Sequence, residues 1–144
     1  MNTILLVEDN PSDLELALHA LKKHELVDQV TVARDGVEAL DYLFGTNIYQ
    51  DQDLVNRPKV IFLDLKLPKI DGWEVLQRVR ADTRTRNIPV VILTSSSEER
   101  DLVQGYELGA NSYVLKPVDF TQFTEAVHHL GFYWLTLNHL PGTQ

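Results

Sequence analysis

The sequence predicts an α/β fold, a doubly wound five-stranded parallel sheet with helices on both faces. Two observations predict it. Short apolar runs recur along the chain, and each is followed by a helix-like pattern of apolar residues. The clearest of these runs are apolar at every position, as strands covered on both faces are, rather than alternating.

The elements follow in order. Residues 4–7 form the first strand, and Ser12 is placed to cap a helix that carries Leu14, Leu16, Ala17, Leu18 and Leu21. A weaker second strand covers 30–33, and the helix after Gly36 carries Val37, Ala39, Leu40, Leu43 and Phe44. A long polar connection, 45–57, breaks the rhythm and reads as a surface loop. The third strand is 60–63, with a helix after Gly72 that carries Val75, Leu76 and Val79. The fourth strand is 90–93, with a helix over 98–108; the fifth is 112–115, and Asp119 caps the last helix. No repeat and no low-complexity linker divides the chain, so residues 1–144 read as a single domain with an extended C-terminal helix and tail.

Composition narrows the function. Asp and Glu outnumber Lys and Arg by 21 to 13, a formal charge of -8, which disfavours nucleic acid and anionic membranes. Without cysteine there is no disulfide, thiolate nucleophile or thiolate metal site. The first residues lack the basic segment of a signal peptide and no run approaches a membrane span, so a cytoplasmic protein is expected.

In a parallel sheet of this kind ligands bind at the carboxyl ends of the strands. There the first strand offers Glu8 and Asp9, the third Asp64, the fourth Thr94, and the fifth Lys116 followed by Pro117. Three carboxylates at one edge repel one another unless a cation joins them, and an all-oxygen set suits Mg²⁺. The set matches phosphoryl transfer to a carboxylate. Asp64 would be the nucleophile, with Mg²⁺ and Lys116 countering charge on the phosphoryl oxygens and Thr94 donating a hydrogen bond. Taken singly these residues are ordinary: an acid opening a turn, a threonine in a strand, a solvated lysine. Each type at the end of its own strand, in this order, is much harder to obtain by chance.

The stretches ILLVEDNPSD, IFLDLKLPKIDGWEVL, VVILTSSS and SYVLKP resemble the receiver domain of two-component response regulators, over roughly residues 3–127. The resemblance implies the flavodoxin-like strand order 2-1-3-4-5. It implies Asp64 as phosphate acceptor, Asp9 as a direct Mg²⁺ ligand, Glu8 acting through the metal's water shell, and the Lys66 backbone carbonyl as a further ligand. Thr94 and Lys116 would contact the phosphoryl group, Lys116 and Pro117 would be joined by a cis peptide, and Thr94 and Tyr113 would form the switch that reads phosphorylation. Lys66 and Ser96 stand where the family tunes phosphate lifetime. Glu8 departs from the commoner Asp. In the loop after Asp64, Pro68 supplies stiffness, Gly72 an unusual backbone angle, and Asp71 a cap.

The last helix places Phe123, Val127, Leu130 and Trp134 on one face, but LGFYWLTL is apolar on nearly every side. Such a segment either folds back over its own domain or sits in an interface, and the favoured expectation is a homodimer with C2 symmetry through Phe132, Tyr133, Trp134 and Leu135. Together with EDNPSD and the long connection, the ending LGFYWLTLNHLP resembles the stand-alone regulators of cyanobacterial phytochromes. That implies a phytochrome-type sensor histidine kinase as phosphate donor and a signal passed on by partner binding or phosphate relay. The chain then reads as a signalling phosphoacceptor rather than an enzyme. His128 and His129 read as solvated helix residues.

Three rivals are weaker. An aspartyl-phosphate phosphohydrolase of the haloacid-dehalogenase type needs an acid two residues after the nucleophile, where Lys66 stands. A flavin carrier needs a phosphate loop rich in Ser, Thr and Gly, where EDNPSD would repel phosphate. A degenerate receiver acting as a binding module would lack part of the acceptor, metal, Thr and Lys set.

Overall fold

Alternating apolar positions of the central strands feed two cores, one on each face of a single sheet. The computed structural model describes residues 3–23, 29–46 and 57–139. Its elements are β1 (Thr3–Val7), α1 (Pro11–Lys22), β2 (Gln29–Ala33), α2 (Gly36–Phe44), β3 (Val60–Leu63) and α3 (Gly72–Ala81). β4 (Val90–Thr94), α4 (Glu99–Glu107), β5 (Ser112–Leu115) and α5 (Phe120–Phe132) follow, and a π-helical turn (Tyr133–Leu137) extends α5. All pairings are parallel, and the order is β2-β1-β3-β4-β5, the flavodoxin-like order expected. Of the 45–57 connection, residues 47–56 lie outside the described residues, as does the end of the chain from 140.

Leu5, Val7, Ile61, Leu63, Val90 and Ile92 point to one face, where α2 and α3 cover them with Leu40, Leu43, Leu76 and Val79. Ile4, Leu6, Val60, Phe62, Val91 and Leu93 point to the other, under α1 and α5. This is the period-two alternation of strands with a helix layer on each side, and it explains why residues 4–7, 60–63 and 90–93 are all apolar. The edge strands β2 and β5 are less buried, which is why β2 reads weakly in the sequence.

Helix starts follow local capping chemistry. Asp35, Asp71 and Asp119 each accept a hydrogen bond from the backbone N–H three residues on. At α1 the cap is Asn10, not Ser12, and Pro11 occupies the first turn, where its missing N–H costs nothing. The loop between β3 and α3 also differs from expectation. Gly72 has no positive φ; it is required for close approach, since a Cβ there would lie under 3.0 Å from the Asp64 carbonyl oxygen and Leu65 Cα. The left-handed residue is Lys69, at φ 66°, and its ammonium reaches Asp35 at 3.4 Å.

The apolar C-terminal segment is a further correction. Trp134 and Leu135 do not form an exposed interface: they are 8% and 3% exposed and join the α1/α5 core. The wide turn after Phe132 rotates both inward, and the Leu135 carbonyl accepts from Lys59 Nζ at 3.3 Å. Phe132, Tyr133 and Leu137 stay exposed.

Candidate functional site

Register brings the strand ends to one edge. Val7 pairs with Leu63 and Thr94 with Leu115, so the next residues, Glu8, Asp64 and Lys116, emerge together. Backbone hydrogen bonds carry the ladder just past the strands: Glu8 N–H to the Ala33 carbonyl at 3.0 Å, Asp64 N–H to Val7 at 3.0 Å, and Lys116 N–H to Thr94 at 2.7 Å. The side chains are thus delivered by backbone fixed in the sheet.

Glu8, Asp9 and Asp64 each bring a carboxylate oxygen within 4.8 Å of the others. Glu8 and Asp64 are buried and Asp9 is exposed, so the cluster has one open side. An all-oxygen set of three carboxylates, two of them taken out of water, fits a hard divalent cation. Lys66 lies in the loop two residues after Asp64 with its side chain exposed.

Lys116 is the counter-ion. Its Nζ lies 2.6 Å from Glu8, 2.9 Å from Asp13 and 3.4 Å from Asp64, with its side chain only 9% exposed. Burial works against its charge, but the hydrogen bonds to Glu8 and Asp13 and the charge of Asp64 outweigh it and hold its pKa above the ordinary lysine value. Glu8 moves the other way from what an isolated ion pair implies. Burial pushes it up to about 7; the Lys116 hydrogen bond opposes this and the Asp64 charge reinforces it. The two shifts are compatible: Glu8, Asp13 and Asp64 share one ammonium and all favour its charge, while burial of Glu8 outweighs that residue's share of it.

Thr94 is 1% exposed at the end of β4, and its hydroxyl oxygen accepts from Ser96 N–H at 3.3 Å. The Tyr113 hydroxyl donates to the Ser96 carbonyl at 2.9 Å, and its half-buried ring packs on the α2/α3 core. Burial raises the phenol's pKa. Ser96 donates to Asp101 at 2.6 Å, which ties the β4–α4 loop to α4. The Lys116–Pro117 bond corrects an expectation, for no cis peptide occurs among the described residues. The trans isomer is the lower in energy for a bond before proline, and in it Lys116 already reaches the carboxylates.

Asp13 and Asp101 were missed by reading strand ends, because both come from helices. Their signal was positional: each sits in the first turn of the helix that follows a site-bearing strand.

Comparison with known proteins decides the family. Residues 4–128 match the model of the response regulator receiver domain. The chain belongs to this family. Receiver-domain proteins are signalling proteins that interact with histidine kinases. The structure also resembles that of the phosphorylated cyanobacterial phytochrome response regulator RcpA, at 38% identity and TM-score 0.91, over 98% of this chain and 99% of that one. The Mn²⁺-bound form of response regulator Rcp1 superposes with TM-score 0.89 at 36% identity, over 99% and 100% of the two chains; the Rcp1 sequence is that of Synechocystis. The bacteriophytochrome response regulator AtBRR is 56% identical over 96% of this chain and 99% of that one, with TM-score 0.74. No helix among the described residues of this receiver is long and apolar enough to cross a membrane.

Proposed function

We propose that residues 1–144 act as a single-domain response regulator of phytochrome signalling that takes a phosphoryl group from a phytochrome-type sensor histidine kinase onto Asp64. The observation that carries the reading is the arrangement around Asp64: the Glu8 and Asp9 carboxylates beside it and the Lys116 ammonium 3.4 Å from its Oδ2. The likeness to the phytochrome response regulators RcpA and AtBRR supports the phytochrome part of the reading, and the likeness to Mn²⁺-bound Rcp1 supports a divalent cation.

An Asp64 oxygen attacks phosphorus, the bond from phosphorus to the donor's imidazole nitrogen breaks, and the departing imidazole takes up a proton. The product is an acyl phosphate and no net oxidation occurs. Glu8, Asp9, Asp64 and the Lys66 carbonyl would hold Mg²⁺, which when bound neutralises charge on the phosphoryl oxygens. Lys116 supplies a positive charge, and the Thr94 hydroxyl donates to a phosphoryl oxygen. Thr94 shifts toward the phosphoryl group as it donates, and Tyr113, anchored on the Ser96 carbonyl, follows that shift and passes it to the β4–α4 loop. Self-catalysed gain and loss of the phosphoryl group are then the chain's only chemistry, and partner binding in the cytoplasm carries the signal. Phe132 and Tyr133, with Leu137, form the exposed part of the C-terminal segment and are the residues we assign to a C2 homodimer.

The test is phosphotransfer from a radiolabelled phytochrome kinase. Label should pass to the wild-type chain within the first time points and not to Asp64→Asn. Equal transfer to both chains contradicts the reading.

A further inference from the structure

Lys116 has one partner that the phosphoacceptor reading leaves unused. Asp13 stands outside the carboxylate cluster: among the described residues only Glu8, Asp9 and Asp64 lie close enough together to share an ion. Yet its Oδ2 lies 2.9 Å from Lys116 Nζ, half an ångström nearer than Asp64. The contact crosses 103 residues of sequence and joins α1 to the end of β5.

The placement of Asp13 is fixed from behind. Its N–H donates to the Asn10 side chain at 3.0 Å, and Leu14 N–H donates to the Asn10 carbonyl at 2.9 Å. The first turn of α1 is therefore locked when it presents the carboxylate. An ammonium offers three hydrogens. Here they face Glu8, Asp13 and Asp64, and the longest of the three contacts is the one to the proposed acceptor.

We propose that Asp13 is a positioning residue that holds Lys116 on the α1 side of the site until a phosphoryl group on Asp64 draws it across. The proposal rests on the reading of Asp64 as acceptor and Lys116 as its phosphoryl contact. The new group on Asp64 brings more negative charge than the carboxylate it replaces. Lys116 then gains more at Asp64 than it loses at Asp13, and the tie between α1 and the β5–α5 loop opens. In the unphosphorylated chain the same tie withholds part of the lysine's charge from an incoming anionic donor, and the Asp13 charge itself repels that donor.

The test uses the full chain with ¹⁵N-labelled lysine, as wild type, D13N, D13E and E15Q. Glu15 is an exposed acid on the same helix, whereas the Lys116 ammonium pairs with Glu8, Asp13 and Asp64, so E15Q controls for net charge. Two quantities are read: the Lys116 side-chain ammonium resonance in metal-free protein, and the initial rate of labelling by Mg²⁺ and acetyl phosphate. D13N should shift the ammonium resonance, speed its exchange with water, and raise the labelling rate roughly threefold or more, the size expected for removing one nearby charge at partial solvent screening. D13E should restore both toward wild type, and E15Q should move neither. An unmoved ammonium resonance in D13N with normal wild-type labelling overturns the role of Asp13 alone. So does an equal rate increase in E15Q. Absence of labelling in every chain overturns the acceptor reading and the proposal with it.

Discussion

Glu8 is 3% exposed and touches the Lys116 ammonium, yet its pKa rises from 4.5 to about 7. The sign has a direct consequence. A carboxyl whose folded pKa is raised favours folding while protonated, so this contribution is full below about 4.5 and is lost as pH rises through about 7. In metal-free protein, Glu8→Gln should unfold at a temperature close to wild type at pH 4.5 and higher than wild type at pH 8, by up to about 3 kcal/mol in stability. Thermal melts at the two pH values check this. A divalent cation needs the ionised form, so Mn²⁺ or Mg²⁺ affinity measured by calorimetry should fall about tenfold from pH 8 to pH 6 in wild type and vary less in Glu8→Gln. At this scale the strand-end residues were legible because a parallel sheet gathers whatever follows its strands. Asp13 and Asp101 were not, because helix residues enter the site by capping geometry that spacing alone does not reveal. The trans bond before Pro117 was likewise beyond residue identity.

Between elements, two close approaches set the site's frame. Gly72 brings α3 against the backbone of Asp64 and Leu65. Gly72→Ala should cost about 1–3 kcal/mol by forcing that loop to shift, and it should also slow labelling of Asp64, because the same backbone carries the carboxylate. Chemical denaturation and labelling rates measure the two effects separately. At the C-terminus the two aromatic neighbours part ways. Trp134→Ala should cost about 3–5 kcal/mol as a core truncation, whereas Phe132→Ala, at a side chain 42% exposed, should cost much less in the monomer. The strand runs were legible because a strand buried on both faces is filled mostly by apolar residues. The wide turn at Tyr133–Leu137 did not: a uniformly apolar helix looks the same whether it turns into its own core or toward a partner.

For the whole molecule, right-handed crossovers divide the helices between the two faces of a parallel sheet. The two-faced parallel sheet was legible from alternation, whereas its strand order came only with the resemblance to receiver domains. Assembly was not, since it depends on which apolar side chains remain outside after folding. With Trp134 and Leu135 inside, the proposed dimer depends on Phe132, Tyr133 and Leu137, and replacing Phe132 and Tyr133 with Ser should shift light scattering from dimer to monomer while leaving labelling intact. A wild-type monomer at high concentration, with and without a phosphoryl mimic, contradicts the dimer. The central claim is the acceptor, and intact mass after incubation with Mg²⁺ and acetyl phosphate tests it most directly. Wild type should gain one phosphoryl group, about 80 Da, and Asp64→Asn should gain nothing. An equal gain in Asp64→Asn would contradict the account.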